Sequence, residues 1–230
     1  MKLAVVTRAD DNIKSYTDLT HPIIEKFCKT WNADFIKLDH NPGIMTDDNH
    51  PHLRIMKSLD LLDTYDRILH LDSDVVINVN CPNIFELVHD NLVGTIFEDK
   101  GSRTAARRTV IRKIQNTFGD IGWLNGYINT GVFIVSKMHK ELFTPIDGKY
   151  WTGWGSDDVH IGYKIRKLNF KIYELPFQFN HMTMFSEPWN NNANRFDSYI
   201  IHYAGAGIFD QSCKTRLQQI KNDIKQIYGV

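Results

Sequence analysis

The chain has 230 residues, 42% of them hydrophobic, and its 27 lysines and arginines are matched by 27 aspartates and glutamates. That length supports one sizeable core, and the balanced charge offers no field to recruit nucleic acid or an acidic surface. Cys28, Cys81 and Cys213 are scattered and odd in number, with neither metal spacing nor a disulfide framework, and no apolar run is long enough to span a bilayer. The N-terminus begins directly on strand-like Leu3-Ala4-Val5-Val6, without the longer apolar run of a signal peptide. A soluble, cytoplasmic domain with no transmembrane segment and no nucleic-acid partner is expected.

Leu3 to Thr7 reads as a buried first strand, and Arg8-Ala9-Asp10-Asp11-Asn12 as the loop at its carboxyl end, where open α/β sheets collect ligands. No glycine-rich fingerprint follows, which argues against a dinucleotide site or a P-loop. Residues 20–31 predict a helix with Pro22 in its first turn and Ile23, Ile24 and Phe27 facing inward. Residues 34–38 alternate as a second strand, and 40–51, punctuated by proline and glycine, predict a loop. Ile55, Met56, Leu59 and Leu62 recur at helical spacing over 53–62, and the connection 63–66 leads into the next strand.

That strand, Tyr65-Asp66-Arg67-Ile68-Leu69-His70-Leu71-Asp72-Ser73-Asp74-Val75-Val76-Ile77, is an apolar run with two carboxylates set into it. Ionised aspartates inside such a run are costly unless something cationic offsets them. Residues i and i+2 of an extended chain point the same way, so Asp72 and Asp74 can converge on one ion, and hard oxygen-seeking Mg²⁺ or Mn²⁺ suits them. The plainer alternative is a strand end whose aspartates face water.

Farther along, 82–88 predicts a short helix and 94–97 a strand. Lys100, Arg103, Arg107, Arg108, Arg112 and Lys113 lie in an acid-free stretch, 100–118, with Ile111, Ile114 and Phe118 as an apolar stripe. This predicts an amphipathic helix whose basic face is solvated, or else meets a pyrophosphate or anionic acceptor. Asn129-Thr130-Gly131 reads as a turn before the strand 132–135, and Ser156 or Asp157 as the cap of a helix through Val159, Ile161, Ile165 and Leu168. A strand at 170–175, an asparagine-rich loop at 180–198, a last strand at 198–203 and a C-terminal helix at 211–228 complete a single α/β domain over 1–230. His202 ends the last strand, where a histidine serves as a buried core group or as a nitrogen ligand; Gly205 and Gly207 follow and allow backbone to approach a phosphate. Asp157 and Asp158, after Trp151, Trp154 and Gly155, serve either as helix caps or as holders of sugar hydroxyls.

Three stretches, 65–74, Tyr127-Ile128-Asn129-Thr130-Gly131-Val132-Phe133 and His202-Tyr203-Ala204-Gly205, resemble glycosyltransferases of the GT-A fold, family 8, the glycogenin and galactosyltransferase group. The resemblance runs from Leu3 to about Gly207. It implies a Rossmann-like GT-A domain with a mixed, mostly parallel central sheet flanked by helices. By the same likeness Asp72, Asp74 and His202 would bind Mn²⁺ (or Mg²⁺), Val6, Thr7 and Arg8 would lie near the base, and Lys57, Ser73 and Gly205 near the donor. Asn129 and Asp157 would sit near the transferred sugar. A UDP-sugar donor and a glycan or other hydroxyl acceptor follow from the resemblance alone. The chain departs from the H-x-x-G-x-x-K motif at Ile208, so the cation of that motif would come from Lys214 or the basic helix. The 154–158 stretch is also similar to an acidic acceptor loop of inverting galactosyltransferases, where Asp158 would be a general base. Retention is favoured and inversion stays open. The rival readings are a sugar-nucleotide hydrolase or nucleotidyltransferase, and a non-catalytic carbohydrate-binding module.

Overall fold

A computed structural model describes residues 1–39 and 51–229, so the loop expected at 40–51 lies outside the described residues except for Pro51. The strands are β1 (Leu3–Arg8), β2 (Ala33–Leu38), β3 (Arg67–Leu71), β4 (Val75–Ile77), β5 (Val93–Phe97), β6 (Ile128–Ser136), β7 (Ile172–Glu174) and β8 (Ile200–His202). The helices are α1 (Lys14–Thr30), α2 (Ser58–Thr64), α3 (Ile84–Leu87), α4 (Thr104–Phe118), α5 (Ser156–Lys167) and α6 (Arg216–Tyr228). Six strands form one sheet in the order β2-β1-β3-β6-β5-β7. β1 runs parallel to β2 and β3, β7 parallel to β5, and β6 antiparallel to both its neighbours, so the sheet is mixed and mostly parallel.

Both faces of this sheet are buried, which is why its strands read as unbroken apolar runs. Val5, Leu69, Leu71, Val132 and Ile134 face Ile24 and Phe27 of α1. Their neighbours Ala4, Val6, Ile68, Phe133 and Val135 face Leu62 of α2 and Ile161 and Ile165 of α5. A separate ribbon pairs β4 antiparallel with β8, and Val76, Ile201 and Tyr203 there pack on Ile220 of α6. Among the described residues no helix is long and apolar enough to cross a membrane.

Several local expectations change. The first helix begins at Lys14 rather than 20, and Pro22 sits inside it. Proline there removes one intrahelical bond, but Pro22 lies on the exposed face, where water reaches the freed carbonyl. The stretch 53–62 is not one helix: Pro51–Lys57 is a 3-10 segment that precedes α2. Its Leu53, Arg54, Ile55 and Met56 are all buried against β1 and α5, which leaves no solvent face for an α-helix of ordinary amphipathic pattern. Asn129-Thr130-Gly131 is the start of β6 and not a turn, because its polar groups find buried partners. Neither Ser156 nor Asp157 caps α5; Gly155, at φ 67°, occupies the cap position and the carboxylates that follow are engaged elsewhere. The C-terminal helix starts at Arg216, where Thr215 Oγ1 accepts from the Gln218 amide at 3.1 Å.

His70, His139, His160 and His181 are at most 2% exposed. Burial holds them neutral, with His70 pushed down to about 3 and the other three to about 4, against 6.5 in an open chain. The unfolded chain therefore takes up protons that the folded chain refuses, and stability present above pH 6.5 is lost as the pH falls toward 4. Each such histidine steepens the loss by up to about 1.4 kcal/mol per pH unit. The urea midpoint should drop steadily across that window; a flat profile from about pH 6.5 to pH 5 would show that these rings are already charged in the fold.

Candidate active site

The carboxyl ends of β1 and β3 and the amino end of antiparallel β6 open onto one cleft of about 860 Å³, closed by the start of α5, the end of β8 and the start of α6. The turn between β3 and β4 is tied down on every side. Asp72 N donates to Gly131 O at 2.9 Å, which carries the ladder one residue past β3. Ser73 Oγ donates to Arg8 O at 2.5 Å and lies 2.9 Å from Thr7 Oγ1, while Thr20 Oγ1 donates to Ser73 O at 2.7 Å. Pairing of Val75 with His202 then brings the imidazole over this turn. His202 Nε2 lies 3.5 Å from Asp72 Oδ2 and 3.4 Å from Asp74 Oδ1. One ligand atom from each of the three residues falls within 4.8 Å of the others.

The remaining carboxylate oxygens are held by arginine. Arg8 bridges Asp72 Oδ1 and Asp157 Oδ2, and Arg216 Nη1 donates to Asp74 Oδ2 at 2.8 Å. Burial alone would raise Asp72, but Arg8 and His202 outweigh it and keep the carboxylate ionised well below its usual range. Asp157 is likewise held low by Arg8 against the effect of burial. Burial would lower His202, yet Asp72 and Asp74 lift it to about 10. Asp158 goes the other way, pushed well above the carboxylate range by burial, by Asp157 and by Glu98. Its Oδ1 accepts from Thr130 N at 2.7 Å and lies 2.8 Å from Thr130 Oγ1, which is also 2.8 Å from Asp157 Oδ2. Two adjacent aspartates are thus pushed in opposite directions, one by its arginine partner and the other by burial and two acidic neighbours.

Of the residues singled out in the sequence, Arg8, Asp72, Ser73, Asp74, Asn129, Asp157, Asp158, His202 and Gly205 all line this cleft. Val6 does not; its side chain is in the core beneath the sheet. Thr7 is buried behind Ser73, Lys57 is half-buried at the end of the 3-10 segment and off the cleft wall, and Lys214 is exposed. Arg216 stands in the cleft where a cation was expected near Gly205, its Nη1 3.2 Å from Tyr203 O and its guanidinium 4.8 Å from the Tyr16 ring centroid. The basic helix is neither solvated nor open to an anion along its inner edge. Arg103 and Arg107 both reach Glu98, and Arg108 reaches Asp99 at 3.1 Å. Arg107 also stacks 4.2 Å from the ring centroid of Trp154, which is 59% exposed at the cleft mouth. Arg54, paired with Asp10 at 2.7 Å, and Glu98 also line the cleft and were not anticipated; the acidic pair Glu98-Asp99 between an apolar strand and an acid-free basic helix was the available signal for Glu98.

No protein-family model and no curated protein matches the chain. Solved structures do. A glycosyltransferase involved in glycosylation of the major capsid of PBCV-1 is 16% identical, with 99% of this chain and 100% of that chain covered and a TM-score of 0.63. The galactosyltransferase LgtC, solved with donor and acceptor sugar analogues, is 18% identical over 100% of this chain and 97% of its own, at a TM-score of 0.53. A Drosophila β1,4-galactosyltransferase 7 variant, solved with manganese, UDP-Gal and xylobiose, is 16% identical over 96% and 79%, at 0.51.

The fold is the GT-A fold. At these identities the likeness is one of architecture, and chemistry has to come from the side chains. In this GT-A domain Arg8 is buried between two carboxylates of the cleft, with only 8% of its side chain exposed. Removing one partner of a buried pair strands the other, at a cost of about 3–5 kcal/mol. Arg8→Ala should lose on the order of 3 kcal/mol in urea denaturation, and adding Asp157→Asn should recover part of it. Additive losses in the double variant would mean that the pair is not coupled.

Proposed function

We propose that this protein is a metal-dependent glycosyltransferase that moves a sugar from a nucleoside diphosphate, a UDP-sugar, to a hydroxyl of a glycan or similar acceptor. The observation that carries the reading is the donor set: two carboxylate oxygens and one imidazole nitrogen, each aimed at the same small volume and each residue braced by a second contact. Oxygen with a single imidazole nitrogen, whose Nε2 proton the cation would displace, suits Mn²⁺ or Mg²⁺, so the residues present fit the ion. A divalent cation held by Asp72, Asp74 and His202 would offset the negative charge that develops on the diphosphate as its bond to the sugar breaks.

The chain's own groups supply the rest. Arg216 can turn its remaining N–H groups toward the diphosphate, and Gly205, at φ 71° with nothing within 4 Å of a Cβ position, leaves backbone open beside it. Asp157 stays ionised and accepts hydrogen bonds at the sugar end of the cleft. Burial, Asp157 and Glu98 all push Asp158 upward, which works against its acting as a general base and favours retention, with the acceptor proton leaving toward the departing phosphate on the same face. Asn129 donates one of its two Nδ2 hydrogens to Glu98 Oε2 at 3.1 Å and accepts the Gly131 amide on Oδ1, which leaves one amide hydrogen for a ligand in the cleft.

A UDP-sugar should raise the melting temperature only when Mn²⁺ is present, by the equivalent of about 2.7 kcal/mol at about a hundred times Kd. Asp74→Ala should lower kcat by about a hundredfold or more, as removal of an electrostatic stabiliser does. Near-normal turnover by Asp74→Ala, or UDP release that no acceptor stimulates, would overturn the transferase reading. Asp158→Asn should keep kcat within about tenfold and give product with the donor's anomeric configuration by NMR; an inverted product would assign Asp158 as the base.

A further inference from the structure

An imidazole can present a lone pair from only one ring nitrogen when neutral, and the other nitrogen's partner decides which. His202 Nδ1 lies 2.8 Å from Asn180 Oδ1, and Asn180 Nδ2 donates to Asn129 Oδ1 at 2.9 Å. Amide orientations follow from groups whose character is fixed. The Gly131 backbone N–H, which can only donate, points at Asn129 Oδ1 at 3.0 Å, and the Glu98 carboxylate, which can only accept when ionised, faces Asn129 Nδ2. Asn129 can therefore stand only one way round. Asn180 must then offer its Nδ2 to Asn129 and its oxygen to His202. Asn180 is fully buried, so no water competes for these contacts. Gly131 also seats the ring itself: a Cβ there would fall 2.2 Å from His202 Cε1 and 2.7 Å from its Nδ1.

We propose that Asn180 is a positioning residue: it draws the His202 proton to Nδ1, so that Nε2 meets the cation held with Asp72 and Asp74. This rests on the metal reading above. The setting is transmitted inward from the Gly131 amide and Glu98 through two side-chain amides, and it needs no contact between Asn180 and substrate. A histidine ligand whose outer nitrogen loses its acceptor commonly loses ten- to a hundredfold in metal affinity.

The test is titration of Mn²⁺ into the intact protein, followed by the electron paramagnetic resonance signal of the free ion. Asn180→Ala should bind Mn²⁺ about ten- to a hundredfold more weakly. Asn180→Asp keeps an oxygen toward Nδ1 and should stay within a few-fold of the parent. Asn129→Ala, which touches no ligand, frees the Asn180 amide to turn over and should weaken Mn²⁺ binding several-fold. In turnover assays the loss in Asn180→Ala should be recovered at saturating Mn²⁺, which a merely structural defect would not be. Thermal melts report folding, and if Asn180→Ala does not fold, Asn180→Asp and Asn129→Ala carry the comparison. Parent-like Mn²⁺ affinity in the alanine variants, or an Asn180→Asp variant about ten- to a hundredfold weaker than the parent, as Asn180→Ala should be, would overturn the positioning role. A parent protein that leaves Mn²⁺ free would overturn the metal reading itself.

Discussion

The pairing of Val75 with His202 in a ribbon three residues long is the contact on which the site depends. The chain between those residues builds three strands of the main sheet and three helices before it returns. Its return is secured by apolar packing of Val76, Ile201 and Tyr203 on Ile220, and by Asp223 of α6, which accepts from Arg195 Nε at 2.7 Å, Tyr203 OH at 2.8 Å and Gln219 Nε2 at 2.8 Å. The C-terminal helix thus does two things at once. Its buried face fixes β8, and its first residue, Arg216, reaches Asp74.

Charge in the cleft is arranged in short alternation instead of being spread as a field. Asp157, Arg8, Asp72, His202, Asp74 and Arg216 follow one another, each carboxylate between two cationic groups or beside one. Such a row tolerates burial because every charge is met at close range. It also explains how two neighbouring residues on α5 come to differ. Asp157 has Arg8, whereas Asp158 has no cation of its own among the described residues and faces Asp157 and Glu98. The net neutrality of the whole chain repeats this local balance, and says nothing by itself about an anionic ligand.

Acid-free helix α4 shows how composition can mislead. Six basic residues in a row of nineteen suggest a solvated face, yet Arg103, Arg107 and Arg108 fold back onto Glu98 and Asp99, which lie just before the helix. Glu98 in turn meets Asn129 and, through Asn180, the histidine at the far side of the cleft. One edge of the basic run is a counterweight to two buried acids, while Arg112 and Lys113 remain on the solvated face that composition suggested.

Much of the molecule was legible in the order of its residues. Unbroken apolar runs located the central strands of the sheet, because strands covered on both faces have nowhere to put polar groups except their ends. Asp72 and Asp74 were legible for the same reason, as costly groups in an apolar run. His202 was marked by its place at the end of a strand. What the residues could not reveal were partners far apart along the chain: Arg8 with Asp157, Arg216 with Asp74, Asn180 with His202. Pairing of that kind is settled by which loops the sheet order brings to one edge, and strand order follows from packing of the whole core, which no local run of residues encodes.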